Sequence, residues 1–280
     1  MIINNNIGAA NTYRQLSINN ASQSKNMEKL SSGMRINRGA DDAAGLSISE
    51  KMRAQIRGLE QASKNAQDGI SMIQTADGAL NESHAILQRM RELTVQAAND
   101  TNSDDERTAI SGELTQLTDT LTDISTNTQF NGQKILAGTA GSAGDGVVTL
   151  QTGANNGETF EINFNDTNSV DLSAILTTLG GPTVADSTEA ATYLTALDTA
   201  IQSVSTGRAY LGAAQNALEY TTNNLNSSAQ NTQAAESRVR DVDMAKEIVD
   251  QTKNSILAQA AQAMLSQANQ QPQAVLQLLR

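Results

Sequence analysis

Apolar and small residues recur at alternating intervals of three and four from Leu59 through Ala62, Ala66, Gly69, Ile73, Ala76, Leu80, Ser83, Leu87, Met90 and Thr94 to Ala97. A heptad seam of this length without a proline predicts one long helix, from about Met52 to Asn99, wound around partners in a left-handed supercoil. At 1.5 Å per residue such a helix is roughly 70 Å long. Its small seam residues allow another helix to come close. Ile70, Ala79, Ile86 and Leu93 add an apolar shoulder, so it should contact more than one neighbour. After a turn at Asn99 to Ser103 the same spacing returns in Ile110, Leu114, Leu117, Leu121 and Ile124, ending near Thr128. Ser103 and Glu106 have the form of a capping box, and Asp104 and Asp105 suit a helix N-terminus, so a second helix should start here and fold back antiparallel. A third begins after Asp186, with Glu189 three residues on, and repeats Leu197, Val204, Leu211, Leu218, Leu225, Thr232 and Val239 every seven residues, accompanied by Leu194 and Ile201. The stripe then changes phase to Ala235, Val242, Val249, Ile256 and Ala263. The final helix is therefore expected to turn a different face inward, beyond a junction near Arg238 to Asp243.

The ends are weaker. Ile2, Ile3 and Ile7 are the apolar contacts of an extended-looking start, and Leu16, Gln23, Met27, Leu30 and Met34 share one lightly apolar helical face. Such a helix is unstable alone. Gly33, Gly39 and Gly45, with Asp41 and Asp42 between the last two, predict a spoke that joins this terminal helix to the long one. Phe130, Asn131 and Gly132 mark the exit from the second helix. From 137 to 186 the composition shifts to Gly, Thr and Ala, with alternation in Val148 and Leu150, then Phe160, Ile162 and Phe164, around a turn at Asn155, Asn156 and Gly157. This is a small β-rich insertion, expected to be the most exposed part of the molecule. Pro182 sits in a further loop.

The fold class is thus mainly α: a long antiparallel coiled-coil or helical-bundle rod with a small β-rich insertion, plus a paired N- and C-terminal helical domain. The divisions are a terminal helix at 1–40, rod helices at 41–136, the insertion at 137–186, a returning rod helix at 187–238 and a final terminal helix at 239–280. Ile3, Ile7, Leu30, Met34, Val249, Ile256, Val275, Leu276, Leu278 and Leu279 then gather at the paired ends, where little in a single chain covers them. Apolar groups left bare in this way ask for burial against another molecule.

Composition sharpens the picture. Aromatics are 2% of the residues and tryptophan is absent, so the bulk that fills a wide core is missing and a narrow rod core is the alternative. A formal charge of −11 argues against nucleic acid or an anionic membrane as partner. With no cysteine there are neither disulfides nor thiolate metal sites. Met1 to Ile7 lacks a basic stretch followed by an apolar run, so a cytoplasmic protein or export without a cleaved signal is expected. No enzymatic constellation emerges and no cofactor is expected. His84, the single histidine, lies one step off the seam beside Glu82, as a solvated or loosely paired helix residue would. Asp41 and Asp42 lack the alternating ligands of a calcium loop and read as caps or partners of Arg35 or Arg38.

Several motifs in order carry a family. Leu30-Ser31-Ser32-Gly33-Met34-Arg35-Ile36-Asn37 followed by Asp41-Asp42-Ala43-Ala44-Gly45-Leu46 resembles the N-terminal signature of bacterial flagellin. Gln88-Arg89-Met90-Arg91-Glu92-Leu93, Gln96-Ala97-Ala98-Asn99, Thr128-Gln129-Phe130-Asn131-Gly132 and Pro272-Gln273-Ala274-Val275-Leu276-Gln277-Leu278-Leu279-Arg280 also resemble it. The likeness covers about the first 137 and last 90 residues; the short middle suggests that large outer domains are absent. It implies a non-enzymatic subunit of the extracellular flagellar filament, exported unfolded, whose terminal helices line an inner tube and whose rods form an outer one. The implied partners are further copies of itself, cap and hook–filament junction proteins, and an export chaperone. The domain junction would lie at Gly33, Gly39, Gly45 and Arg238. Arg89, Leu93 and Glu113 match the positions gripped by the vertebrate Toll-like receptor for flagellin, although Met90 and Thr94 depart from the common pattern there. Some flagellins carry a zinc protease centrally, but this chain has no His-Glu-x-x-His. The alternative is a secreted helical adhesin or effector that holds a partner through its coiled coil.

Overall fold

The computed structural model describes residues 6–165 and 170–278, with side chains to residue 271. Its elements run α1 (Ile7–Ser32), α2 (Ala43–Ala97), α3 (Asp104–Asn127), β1 (Gln129–Phe130), β2 (Gln133–Lys134), β3 (Val147–Gln151), β4 (Thr159–Asn163), α4 (Leu172–Leu179), α5 (Ser187–Arg240) and α6 (Met244–Leu278). They fall into two compact units: 1–54 with 231–280, and 55–230.

The larger unit is built on the heptad seam. Every seam position from Leu59 to Ala97 is buried, and Leu93 joins them while Ile70, Ala79 and Ile86 are half-buried on the shoulder. The facing stripe of α5, Leu197, Val204, Leu211, Leu218 and Leu225, is buried too. The two helices run antiparallel: Ser63 Oγ donates to Asn226 Oδ1 at 3.1 Å, Arg208 pairs with Asp77 at 2.9 Å and Arg91 with Asp198 at 2.7 Å. Burial between the helices carries the stability, because exposed ion pairs of this kind contribute little. The capping box of α3 is formed, with Glu106 Oε2 accepting from the Ser103 N–H at 2.8 Å. Ile110, Leu114 and Leu121 close the third side of the core.

The region after α3 holds more structure than its sequence announced. Asn131 and Gly132 both have positive φ, 50° and 80°, and make the two-residue turn of a hairpin in which Phe130 pairs with Gln133. β3 and β4 form a second antiparallel hairpin, Val147 opposite Asn163 and Gln151 opposite Thr159. The tips of the insertion are exposed, at 142–145 and 155–159, but its inner side belongs to the core: Ile162, Phe164, Val170 and Leu172 are completely buried. Small residues on α2 explain this. A Cβ at Gly69 would collide with the Leu150 side chain and one at Gly58 would come within 2.9 Å of the Ala154 Cβ, so the helix is notched where the hairpin lies on it. Between the notches Asn65 Nδ2 donates to the Gln151 carbonyl at 3.0 Å. The unanticipated helix α4 is capped by Asp171, which accepts from the N–H groups of Ser173 and Ala174.

The smaller unit pairs α1 with α6 and adds the first turns of α2 and the end of α5. α2 begins at Ala43, well before the expected Met52, because Asp42 Oδ1 accepts from the Gly45 N–H at 2.8 Å and starts the helix there. Gly45 is therefore a buried first-turn residue, where a Cβ would strike Asp42 and Ile36, and not a break in the chain. Gly33 does end α1, with φ +70° and its N–H donating to the Lys29 carbonyl. No helix among the described residues is long and apolar enough to cross a membrane.

Candidate assembly surface

The smaller unit has its apolar residues on the wrong side for a self-sufficient fold. On α1 the buried residues are Asn19 and Asn26, whereas Ile7, Tyr13, Ile18 and Met27 are exposed. Of the face expected from sequence, Leu16, Gln23, Leu30 and Met34 are half-buried, and Met27 points outward at 55% exposure. On α6 Val249, Ile256 and Ala263 face away from the pair, contrary to the inward face that the phase change predicts: Val249 is 67% and Ile256 60% exposed, while Val242, just before the helix, is half-buried. Ile248, Leu257 and Met264 widen this bare stripe. The inward face of α6 is mostly polar and small instead, with Leu265 half-buried on it. With its amide oriented to satisfy both ends, Asn26 Nδ2 donates to the Ser22 carbonyl and to Glu247 Oε1, and Asn26 Oδ1 accepts from Asn254 Nδ2, each at 3.1 Å. At the far end Asn6 Nδ2 donates to the Ala268 carbonyl at 2.7 Å. The heptad pattern finds the stripe but does not say which side of it is solvent. Ile3 and Leu279 lie outside the described residues, as do the side chains of Val275, Leu276 and Leu278.

The junction of α1 with α6 is a short antiparallel ladder. Met34 bridges Asp241, the Arg35 N–H donates to the Arg240 carbonyl at 2.7 Å, and the Val242 N–H donates to the Gly33 carbonyl at 3.1 Å. Arg35 Nη2 also donates to the Val239 carbonyl at 2.6 Å. Arg240, which sequence reasoning passed over, anchors this corner: its buried guanidinium meets Glu50 Oε1 at 2.7 Å. Arg238, the residue singled out from the phase change, is exposed. The one legible hint was the Arg-x-Arg spacing, since only one of two such arginines can face α2. Asp41 caps the spoke by accepting from the N–H groups of Asn37 and Arg38, and the bond from Arg38 foremost holds its pKa below the ordinary carboxylate value. Gly39 is exposed with only Leu46 near it.

In the larger unit Arg89 bridges two carboxylates, Glu113 at 3.0 Å on α3 and Glu92 at 3.2 Å on its own helix. These partners, Glu113 first, raise the Arg89 pKa further above its ordinary value. Arg89 and Glu113 are about half exposed, whereas Leu93, at 3%, is core. The three share a neighbourhood but only two reach the surface. His84 Nε2 lies 2.9 Å from the Gln88 amide nitrogen, in keeping with a loosely paired helix residue. Among the described residues no cluster of three or more His, Asp or Glu side chains is placed to hold a metal.

Comparison with known proteins bears on both surfaces. Residues 3–141 match the bacterial flagellin N-terminal helical region and residues 194–279 the bacterial flagellin C-terminal helical region. Over the full length of both chains, the sequence is 57% identical to a flagellin of Halalkalibacterium halodurans and 53% identical to one of Bacillus subtilis. The crystal structure of Bacillus cereus flagellin is 34% identical, covers 62% of this chain and 94% of its own, and superposes with a TM-score of 0.50. Two terminal helical regions in the right order, end-to-end identity above half and a shared solved fold place this chain in the bacterial flagellin family.

Proposed function

We propose that the outward apolar stripe of α1 and α6 is the surface through which copies of this chain pack around the axis of a filament. As a flagellin the chain is a structural, non-enzymatic subunit that self-assembles without covalent links into the extracellular flagellar filament used for swimming. The observation that carries the assignment of the stripe is the inversion in the terminal unit: Val249, Ile256, Met264, Ile18 and Tyr13 are bare while asparagine and glutamate are buried. Such a pair gains little from folding alone and much from covering its stripe with neighbours. Ile7, Leu30, Met34 and the apolar tail at Val275, Leu276, Leu278 and Leu279 extend the same surface in this reading, and Ile3 joins them. Concentrating the chain and imaging it by electron microscopy tests the reading. Long tubes are expected, and a discrete species at high concentration would favour the adhesin alternative.

The finer partners follow the family. Cap and hook–filament junction proteins meet the subunit at the filament end, and an export chaperone covers the C-terminal helix before assembly, a fitting role for a stripe otherwise bare. The domain divisions at 40, 136, 186 and 238 separate the inner-tube helices from the rod and its insertion. For the Toll-like receptor, Arg89 and Glu113 supply the charged contact and Leu93 holds α2 in place beneath them. Arg89 is accessible on a rigid helix and already arranged between carboxylates, which supports this assignment.

A further inference from the structure

Asparagine followed by glycine is the dipeptide whose side-chain amide most readily cyclises onto the backbone, because glycine has no Cβ to obstruct the approach of its nitrogen. The chain contains two, Asn131-Gly132 and Asn156-Gly157, and both asparagines are exposed. Their sequences rank them alike; their surroundings do not. Cyclisation requires the peptide plane between the two residues to turn until the glycine nitrogen faces the side-chain carbonyl carbon. At Asn131 that plane is the tip of a two-residue hairpin. Asn131 and Gly132 are held at φ 50° and 80°, Phe130 and Gln133 are paired on either side, and Phe130 packs against the core. Just behind them the Ile135 N–H donates to the Thr128 carbonyl at 3.2 Å. Turning the plane there dismantles the hairpin.

The plane after Asn156 lies instead in the loop 152–158 that joins β3 to β4. The backbone bond across this turn, from the Glu158 N–H to the Asn155 carbonyl, is long at 3.4 Å. Among the described residues neither the Asn156 side chain nor the Gly157 N–H has a hydrogen-bond partner, and a Cβ built on Gly157 would meet nothing within 4 Å. The preceding residue is clamped. Asn155 donates its N–H and its Nδ2 to the Glu158 carboxylate at 3.0 and 2.9 Å, and its carbonyl accepts from Gln151 Nε2 at 2.7 Å. The loop is thus fixed at Asn155 and open at the next peptide. The Asp-Gly pairs lack this freedom: the Gly146 N–H donates to the Ala140 carbonyl at 2.9 Å, and Gly69 and Gly78 lie within α2.

We propose that Asn156 is a self-modification site, whose amide converts to aspartate and isoaspartate in the folded chain while the hairpin keeps Asn131 intact. The Gly157 nitrogen gives up its proton and attacks the Asn156 Cγ. The new Cγ–N bond closes a succinimide, the Cγ–Nδ2 bond breaks, and Nδ2 leaves as ammonia with that proton. Water then opens the ring, at Cγ to give aspartate or at the backbone carbonyl to give isoaspartate. No oxidant, metal or second protein takes part. Either product adds a negative charge beside Glu158, and isoaspartate also lengthens by one carbon the loop whose Ala154 is seated against Gly58 of α2. In a chain that works outside the cell the change accumulates with age on the exposed tip of the insertion.

The test incubates the unpolymerised full-length chain at mildly alkaline pH, with and without concentrated urea, and follows both asparagines by tandem mass spectrometry of digests. Isoaspartate is identified by labelling with an isoaspartyl methyltransferase. In urea the two sites should react at similar rates. In the folded chain Asn156 should react about ten-fold faster than Asn131 or more, the factor that about 1.4 kcal/mol of restraint at the hairpin tip produces. Asn156→Gln should remove the acidic shift seen on isoelectric focusing, because the longer side chain closes its ring far more slowly. Equal rates at Asn131 and Asn156 in the folded chain would overturn the inference. So would an Asn156 that stays intact in the folded chain while reacting in urea, or an acidic shift that persists in Asn156→Gln. A preference for Asn156 that is undiminished in urea would overturn it as well, since the fold would then not be the cause.

Discussion

Replacing Val249 and Ile256 by serine separates folding of the chain from its assembly. Both side chains are already mostly in contact with water, at 67% and 60% exposure, so the substitutions remove little that the isolated chain buries. The cost to chain stability should be within about 0.5 kcal/mol for each, as for other surface changes. Full burial of a valine or isoleucine is worth about 1.5–3 kcal/mol, and more than half of that is still to be gained when a neighbour covers these two residues. The pair should therefore cost assembly about 2–3 kcal/mol per subunit, or roughly a thirty-fold to hundred-fold rise in the critical concentration. Sedimentation of seeded polymerisation reactions over a concentration series measures this, with circular dichroism as the control for folding. A critical concentration within three-fold of the native value, at matched helicity, would refute the assignment of the stripe. A large loss of helicity in the unpolymerised variant would refute the premise that these residues are bare before assembly.

The other expectations concern the ends, the spoke, the hairpin and the receptor contact. Deleting Pro272 to Arg280, or residues 1–34, should abolish filaments in electron micrographs while the larger unit stays helical by circular dichroism. Alanine at both Gly33 and Gly45 should alter filament waveform or swimming: Gly33 is held at φ +70°, which costs an alanine about 1 kcal/mol, and a Cβ at Gly45 strikes Asp42 and Ile36, so a native waveform in swimming cells would count against a structural role for the spoke. Gly69→Val should lower the melting temperature of the chain by several degrees, because the added branches force Leu150 and its hairpin off α2. Arg89→Ala should weaken receptor binding by the unpolymerised chain without changing its helicity, since it removes an exposed charge and opens no cavity; equal binding by both proteins would reject that contact.

The larger unit was legible because its physics is repetitive. Leu59 to Ala97 and Leu197 to Leu225 are periodic over many turns, and a stripe of that length has one way to be buried. Ser103 and Glu106 were readable for a different reason: capping is local, and its partners are three residues apart. What was missed depends on distant partners. Gly45 looked like a break because glycine is usually read as one, but its place inside α2 follows from Asp42 capping the helix and Ile36 leaving no space. The insertion looked exposed because Gly and Thr are common in loops. The notches at Gly58 and Gly69 that receive Ala154 and Leu150 lie more than eighty residues earlier in the chain. In the candidate surface the sequence named Val249 and Ile256 among the residues left for another molecule to cover, yet the phase of their series also read as an inward face of α6, since periodicity specifies a stripe and not what covers it.

That ambiguity has a physical source that bears on function. In a chain whose final form is a polymer, the best apolar stripe belongs to the neighbour, and the intramolecular seam must be the poorer of the two available faces. Pattern reading assigns the better stripe to the chain's own core and so turns α6 by half a rotation. Asn26, with Glu247 and Asn254 opposite it, makes the seam with α1 polar and leaves the apolar stripe of α6 outward. Folding of the terminal unit is then coupled to assembly: the helices are weakly held until a second copy supplies the apolar contact, and each added subunit stabilises the unit that receives it.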